Sequence, residues 1–132
     1  MAFELEFDET ARVIRVSFTG PLSDEDLLAG YHALHRARAD CGPCSCIIDY
    51  THVTTAVDVS NEMIRKIVGM PPTGPQDCPQ ITVAPADVVY GLGRMFQLLS
   101  SETRPNLRIV RTMDEAYRLL GVEPLNFLPL AG

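Results

Sequence analysis

The chain has 132 residues, of which 46% are hydrophobic and 21% are charged, and its formal net charge is −6. This length and composition are typical of one globular domain with a buried core. The negative charge argues against a nucleic-acid partner, because binding to phosphates needs a basic face. The sequence contains no run of about 18 apolar residues, so we expect no membrane-spanning segment.

The N-terminal segment MAFELEFDET alternates apolar and acidic residues and lacks the features of a secretory signal. We therefore expect a cytoplasmic protein.

The segments Phe3–Phe7 and Val13–Phe18 both show the two-residue alternation of half-buried strands. The short link between them, Asp8 to Arg12, predicts an antiparallel hairpin at the start of the fold.

Helix and strand signals then alternate to the end of the chain. Ser23 is a natural N-cap, and apolar residues recur at helical spacing from there to about Arg38. Strands and helices follow in alternation: Cys44–Tyr50, Asp58–Gly69, Gln80–Ala84, Pro85–Ser101, Leu107–Val110 and Thr112–Gly121. The order ββαβαβαβα predicts a single α/β domain over residues 1–123, with a mixed, mostly parallel sheet and an antiparallel hairpin at its start. Residues 124–132 form an apolar tail that is broken by two prolines.

Residues 40–46 read DCGPCSC and contain C-G-P-C, the active-site tetrad of thioredoxins. In a thioredoxin the tetrad opens a helix, whose dipole lowers the pKa of the first cysteine. Here the tetrad follows a predicted helix and precedes a strand, so Cys41 would lie at a helix C-terminus. This order favours a turn, with Gly42 left-handed and Pro43 ending the helix, over a thiol–disulfide oxidoreductase that uses Cys41 and Cys44.

The remaining motifs for catalysis and metal binding are absent from the sequence. Cys44 and Cys46 are predicted to lie on one face of a central strand as small apolar side chains. One cysteine pair is short of the four ligands of a structural zinc site, so we predict neither a metal nor a cofactor. Phosphate-binding loops, dinucleotide-binding glycine motifs and nucleophile elbows are also missing. We therefore predict a protein without enzymatic activity.

Polar side chains follow three of the predicted strands, at the edge where open α/β sheets bind ligands and partners. The set comprises Asp49, Thr51, Thr54, Asp58, Ser60, Asp87, Arg111 and Thr112. Taken singly, Asp58, Ser60 and Thr112 also fit the caps of the helices that begin beside them. Taken together, the side chains around Asp58 predict a contact surface for a protein partner.

Three stretches of the chain resemble the STAS superfamily of anti-sigma-factor antagonists, and more closely its SpoIIAA-like relatives. FTGPLSDEDLL resembles the strand-to-helix start of that family, and IIDYTHVT resembles its strand followed by D-L-S-x-V. MFQLLSSETRPNLRIVRTMDEAYRLLGV resembles its last helix, strand and helix. The resemblance implies a SpoIIAA-like fold and a non-enzymatic regulatory module that contacts a protein partner or a second copy of itself.

The resemblance also implies a modification site. In phospho-regulated antagonists a strand is followed by D-S-S-G, whose second serine is phosphorylated. Asp58-Val59-Ser60-Asn61 falls near that place and matches at Asp58 and Ser60, but not at Val59 and Asn61. Ser60 is therefore the phosphoacceptor that the resemblance implies.

A second hypothesis follows from the resemblance of the SpoIIAA-like branch to lipid-binding Sec14-type domains. It is a protein that binds an apolar molecule or lipid, or associates with a membrane surface. It predicts a cavity beneath the helix Asp87–Ser101 and the tail, with Arg94 or Arg111 facing an anionic head group. The tail side chains that suit this role are Leu125, Phe127, Leu128 and Leu130. They equally suit docking of the tail on its own domain or on a dimer mate.

Overall fold

The computed structural model describes residues 2–123 and 126–130. In chain order the elements are β1 (Phe3–Asp8), β2 (Val13–Ser23), α1 (Asp24–Cys41), β3 (Ser45–Asp58), α2 (Asn61–Val68), β4 (Gln80–Val83), α3 (Asp87–Leu99), β5 (Leu107–Val110), α4 (Met113–Leu120) and β6 (Leu128–Pro129). The predicted α/β class and the predicted order of elements are confirmed over the described residues. The tail adds one short strand, β6, that the sequence did not predict.

The strands form one mixed sheet in the order β5-β4-β3-β2-β1-β6. Strands β2 to β5 are parallel to one another, whereas β1 pairs antiparallel with β2 and forms the predicted hairpin. In the tail, Leu128 of β6 lies opposite Phe7 of β1, while Leu125 lies outside the described residues. Of the helices in the described ranges, none is long and apolar enough to cross a lipid bilayer.

Strands β2 and β3 are both longer than predicted, and they extend side by side. Their pairing continues from Ser17–Asp49 to Ser23–Asp58, with irregular register on both sides of Pro21. Gly20 has a φ of 74° and Pro21 has no N–H, which are features that usually end a strand. Each strand nevertheless supplies the hydrogen-bonding partner of the other, so the ladder tolerates these residues.

The two faces of the sheet carry separate apolar clusters, because side chains alternate along each strand. One cluster lies beneath α1 and contains Ile14, Val16, Phe18, Leu34, Cys46 and Ile48. The other lies beneath α4 and contains Val13, Ile47, Ile81, Val83, Val110 and Ala116. Helices α2 and α3 cover the same face as α1, where they line a common cavity with it.

Asp8 ties the tail to the N-terminal hairpin. Its carboxylate accepts hydrogen bonds from the backbone N–H groups of Ala11 and Asn126, both at 2.9 Å. These bonds hold the pKa of Asp8 below its usual value, against the opposing effect of burial. Next in the chain, the ring of Phe127 lies 4.2 Å from the Arg15 guanidinium. The described part of the tail is thus packed on its own domain, on the α4 face of the sheet.

Gly30 marks a close approach of α1 to the sheet and yields a first prediction. A Cβ at this position would lie 2.6 Å from Cζ of Phe18. Phe18 is only 3% exposed and packs against Phe3 and Tyr50, so its ring has little room to move. We expect Gly30→Ala to lower the free energy of unfolding by about 1–2 kcal/mol, because overpacking outweighs the gain in helix propensity. Urea denaturation measures the change.

Gly91 of α3 is the matched control, because within the described part of the chain no heavy atom lies within 4 Å of its added Cβ apart from its chain neighbours and its own helix backbone. Gly91→Ala is expected to raise the free energy of unfolding by up to about 1 kcal/mol through helix propensity alone. Equal effects of the two substitutions would contradict the close contact between α1 and Phe18.

Candidate functional site

An apolar cavity of about 110 Å³ lies between the sheet and helices α1, α2 and α3. Its lining includes the sheet residues Val16, Phe18, Ile48, Tyr50, Gln80 and Thr82 and the helix residues Leu34, Ile64, Ile67, Val89, Leu92 and Phe96. Half-buried Tyr31 and Thr73 also line it, and the cavity is partly open to the surface. Protein interiors rarely hold voids larger than a water molecule, so this space is the first candidate for a binding site.

Polar side chains interrupt the apolar lining of the cavity, and three of them lie on the sheet. Alternation along β4 directs Gln80 and Thr82 to the cavity face and directs Ile81 and Val83 to the α4 face. Tyr50 of β3 joins them, with its ring stacked on Phe18 at a centroid distance of 5.2 Å. Within the described residues, the side chains of Gln80, Thr82 and Tyr50 form no hydrogen bond with the protein.

Arg104 also lines the cavity and is only 4% exposed. Its guanidinium donates to the carbonyl oxygens of Ile67, Val68 and Met70 at 3.2, 3.3 and 3.0 Å. Carbonyls at a helix C-terminus carry partial negative charge, so they stabilise the buried cation. Burial still lowers the pKa of Arg104 from its usual value. Arg104 therefore fixes the C-terminal end of α2, and sequence reasoning did not single it out.

The two arginines that the sequence offered as contacts for an anionic ligand lie elsewhere. Arg94 hydrogen-bonds Gln97 on the exposed side of α3, beside a shallow groove that it shares with Arg108. Arg111 forms an ion pair with Asp87 at 2.8 Å. Neither Arg94 nor Arg111 lines the cavity beneath α3. The tail also lies apart from the cavity, because Phe127 packs on the opposite face of the sheet.

Ser60 is the N-cap of α2 and links it to α1. Its Oγ accepts a hydrogen bond from the Met63 N–H at 3.1 Å and donates one to Asp24 Oδ2 at 2.6 Å. The Ser60 N–H donates to Asp24 Oδ1 at 2.7 Å. Since Asp24 is the first residue of α1, its carboxylate joins the N-terminal ends of two helices. The predicted capping role of Ser60 is confirmed, but α2 begins at Asn61 rather than at Asp58.

The other predicted edge residues lie in different environments along β3. Asp49 is buried at 4% exposure, and its carboxylate accepts a hydrogen bond from the Thr51 N–H at 2.9 Å. Thr54 and Asp58 are exposed. Pairing between β3 and β4 ends at Asp49, so the later residues of β3 have no described strand beside them on that side. The exposed part of the predicted surface is therefore this extension of β3.

The C-G-P-C tetrad lies at the end of a helix, as predicted. Helix α1 ends at Cys41, and Gly42 follows with φ 77° and ψ −167°, which lies outside the left-handed helical region that the sequence predicted. Cys44 and Cys46 are 3% and 0% exposed within the cluster beneath α1. Burial raises the pKa of both thiols, that of Cys46 to about 12. Across residues 2–123 and 126–130, no three His, Cys, Asp or Glu side chains form a group that could hold a metal ion.

We compared the chain with known proteins, and neither a family model nor a curated protein matches it. The likeness to SpoIIAA-like proteins therefore rests on the stretches quoted above.

The burial of Cys44 and Cys46 gives a second prediction. With iodoacetamide at pH 8, Cys41 should be modified at least about tenfold faster than Cys44 or Cys46, because only a thiolate reacts and burial disfavours it. Peptide mapping by mass spectrometry measures the three rates. In parallel, the protein should reduce insulin no faster than a Cys41→Ser variant. Rapid modification of Cys44 together with insulin reduction would instead indicate a redox enzyme.

Proposed function

We propose that this protein is a non-enzymatic, SpoIIAA-like binding module whose ligand is a small apolar molecule or the apolar end of a larger one. The observation that carries this proposal is the apolar cavity beneath α1, α2 and α3. An apolar cavity of about 150 Å³ accommodates benzene, so a space of about 110 Å³ suits one small ring or a short hydrocarbon chain. Because the cavity is partly open, a larger ligand can place its apolar end in the cavity while the rest of the molecule stays outside.

Burial of apolar surface supplies the driving force for the proposed binding. The lining of the cavity is mostly apolar, and each Å² of apolar surface that the ligand and the lining remove from water contributes about 25 cal/mol.

Helix α3 is the wall best suited to admit a ligand. Of its thirteen residues only Val89 is buried, and Val88, Leu98 and Leu99 are largely exposed. Its centre contains Gly91 and a second glycine, and each lowers helix stability by about 1 kcal/mol relative to alanine. A helix with few buried contacts and low intrinsic stability opens at low energetic cost.

Leu92 lines the cavity from α3 and provides the third prediction. We expect toluene to bind the wild-type protein, as seen by ligand-observed NMR and by a rise in melting temperature. Leu92→Trp should abolish both signals, because the indole occupies the cavity. Leu98→Trp is the matched control on the same helix, since Leu98 is 66% exposed and lies outside the cavity. A wild-type protein that binds neither toluene nor phenol would rule out the proposed ligand site.

The Ser60–Asp24 contact favours a second candidate function, a cytoplasmic regulatory module that contacts a protein partner or a second copy of itself. Phosphorylation of Ser60 would add about −1.5 to −2 charges next to the Asp24 carboxylate. Because Ser60 Oγ donates to Asp24 at 2.6 Å, the phosphate would replace an attraction with a repulsion between α1 and α2. The exposed extension of β3, with Thr54 and Asp58, would be the adjoining contact surface.

The fourth prediction is that a negative charge at position 60 lowers the free energy of unfolding by repelling the Asp24 carboxylate. Asp and Asn are equally good N-caps, so any difference between Ser60→Asp and Ser60→Asn reports the charge. Ser60→Asp should be less stable by about 1 kcal/mol in urea denaturation, and Asp24→Asn should remove this difference. Equal stabilities would mean that a charge at position 60 does not act on Asp24. Mass spectrometry of protein isolated from its own host then tests whether Ser60 is phosphorylated.

A further inference from the structure

The side chains of Gln80, Thr82 and Tyr50 are the polar groups in the cavity that the fold itself does not use. Thr82 is only 7% exposed, and Gln80 is half-buried two residues before it on the same face of β4. Their neighbours on β3, Cys46 and Ile48, are apolar. We refer to Gln80, Thr82 and Tyr50 together as the polar stripe. Polar side chains without hydrogen-bonding partners are unusual on an inner sheet face, because buried polar groups nearly always have such partners.

The polar atoms of these side chains keep some accessible surface. Among the described residues, the only fully enclosed side-chain nitrogen or oxygen without a partner is Nε of Arg38, which lies outside the cavity lining. The hydroxyl of Thr82 and the polar atoms of Gln80 and Tyr50 are thus not fully enclosed, and all three residues line the cavity. A ligand in the cavity can reach them, and a purely hydrocarbon ligand would leave them without partners at a free-energy cost.

The charge of the cavity indicates which polar group the ligand carries. Among the residues that the structure describes, no acidic side chain lines the cavity, so a cationic ligand has no counter-ion from them there. Arg104 is the cation in the lining, and its terminal nitrogens donate to the three carbonyl oxygens at the end of α2. An anionic ligand would have to compete with those carbonyls. The accessible groups of Gln80, Thr82 and Tyr50 are neutral, and together they both donate and accept.

We infer that the ligand is a small neutral molecule, a single ring or short hydrocarbon chain that bears one hydroxyl or carbonyl group recognised by Thr82, Gln80 and Tyr50. This inference rests on the proposed function, since it specifies the ligand class of the same cavity. The size limit follows from the cavity volume, and the neutral polar group follows from the stripe. A hydroxyl is the best match, because it can accept from one member of the stripe and donate to another.

Phenol and toluene test the inference. They have the same number of non-hydrogen atoms, and they differ only in that phenol carries a hydroxyl where toluene carries a methyl group. The quantity to measure is the ratio of the toluene to the phenol dissociation constant, from NMR titrations. We expect Thr82→Val to lower this ratio about fivefold relative to the wild type, the value of one hydrogen bond. Tyr50→Phe should also lower the ratio of the two dissociation constants. Thr19→Val is the matched control, an exposed strand position that should leave the ratio unchanged.

Folding provides an independent measurement on the same variant. Because the Thr82 hydroxyl has no partner in the described protein, Thr82→Val should be at least as stable as the wild type in urea. A clear loss of stability would show that the hydroxyl serves the fold, which would overturn its assignment to the ligand.

The outcomes separate the inference from the proposed function. If neither phenol nor toluene binds, the ligand site itself is wrong. If both bind and Thr82→Val leaves their ratio unchanged, the ligand site stands and recognition by the stripe is overturned. Benzoate provides the third probe, because tighter binding of benzoate than of phenol would overturn the neutral class in favour of an anion held by Arg104.

Discussion

Helix α2 is held at both ends by side chains from other parts of the chain, and the cavity depends on this constraint. A helix of eight residues is unstable on its own, since nucleation outweighs so few hydrogen bonds. Asp24 of α1 binds the capping Ser60 at one end, and Arg104 binds three carbonyl oxygens at the other. With its ends fixed in this way, α2 presents Ile64 and Ile67 to the cavity.

The same arrangement relates the two candidate functions to each other. Ser60 caps the short helix whose Ile64 and Ile67 line the cavity, so a change in charge at the Ser60–Asp24 contact would also act on a wall of the cavity. A ligand that packs against Ile64 and Ile67 would in turn favour the position of α2 that keeps this contact. Binding of an apolar ligand and regulation by protein contact are therefore compatible in this fold.

Local sequence signals predicted the parts of the site that depend on neighbouring residues. Ser60 reads as an N-cap because its hydroxyl reaches the N–H three residues later, and Cys41 reads as a helix end because Gly42 and Pro43 follow it. The sequence predicted β4 as a strand but did not predict that Gln80 and Thr82 share one of its faces. The sequence could not say that this face is the one beneath α3. The sequence did not assign Arg104 to the site because this residue lies in the loop between α3 and β5, where periodicity carries no information.

By itself the sequence determined the α/β class, the order of the elements and the placement of the cysteine tetrad at a helix end. These features follow from hydrophobic periodicity, capping residues and turn residues, all of which act over a few positions of the chain. The tertiary structure alone decided the long β2–β3 ladder, the pairing of β6 with β1, and the lining of the cavity, which the sequence had predicted beneath α3 and the tail but which excludes the described tail residues. Those features arise between residues far apart in sequence, where the packing of whole elements sets which backbone groups pair and how much space remains between helices and sheet.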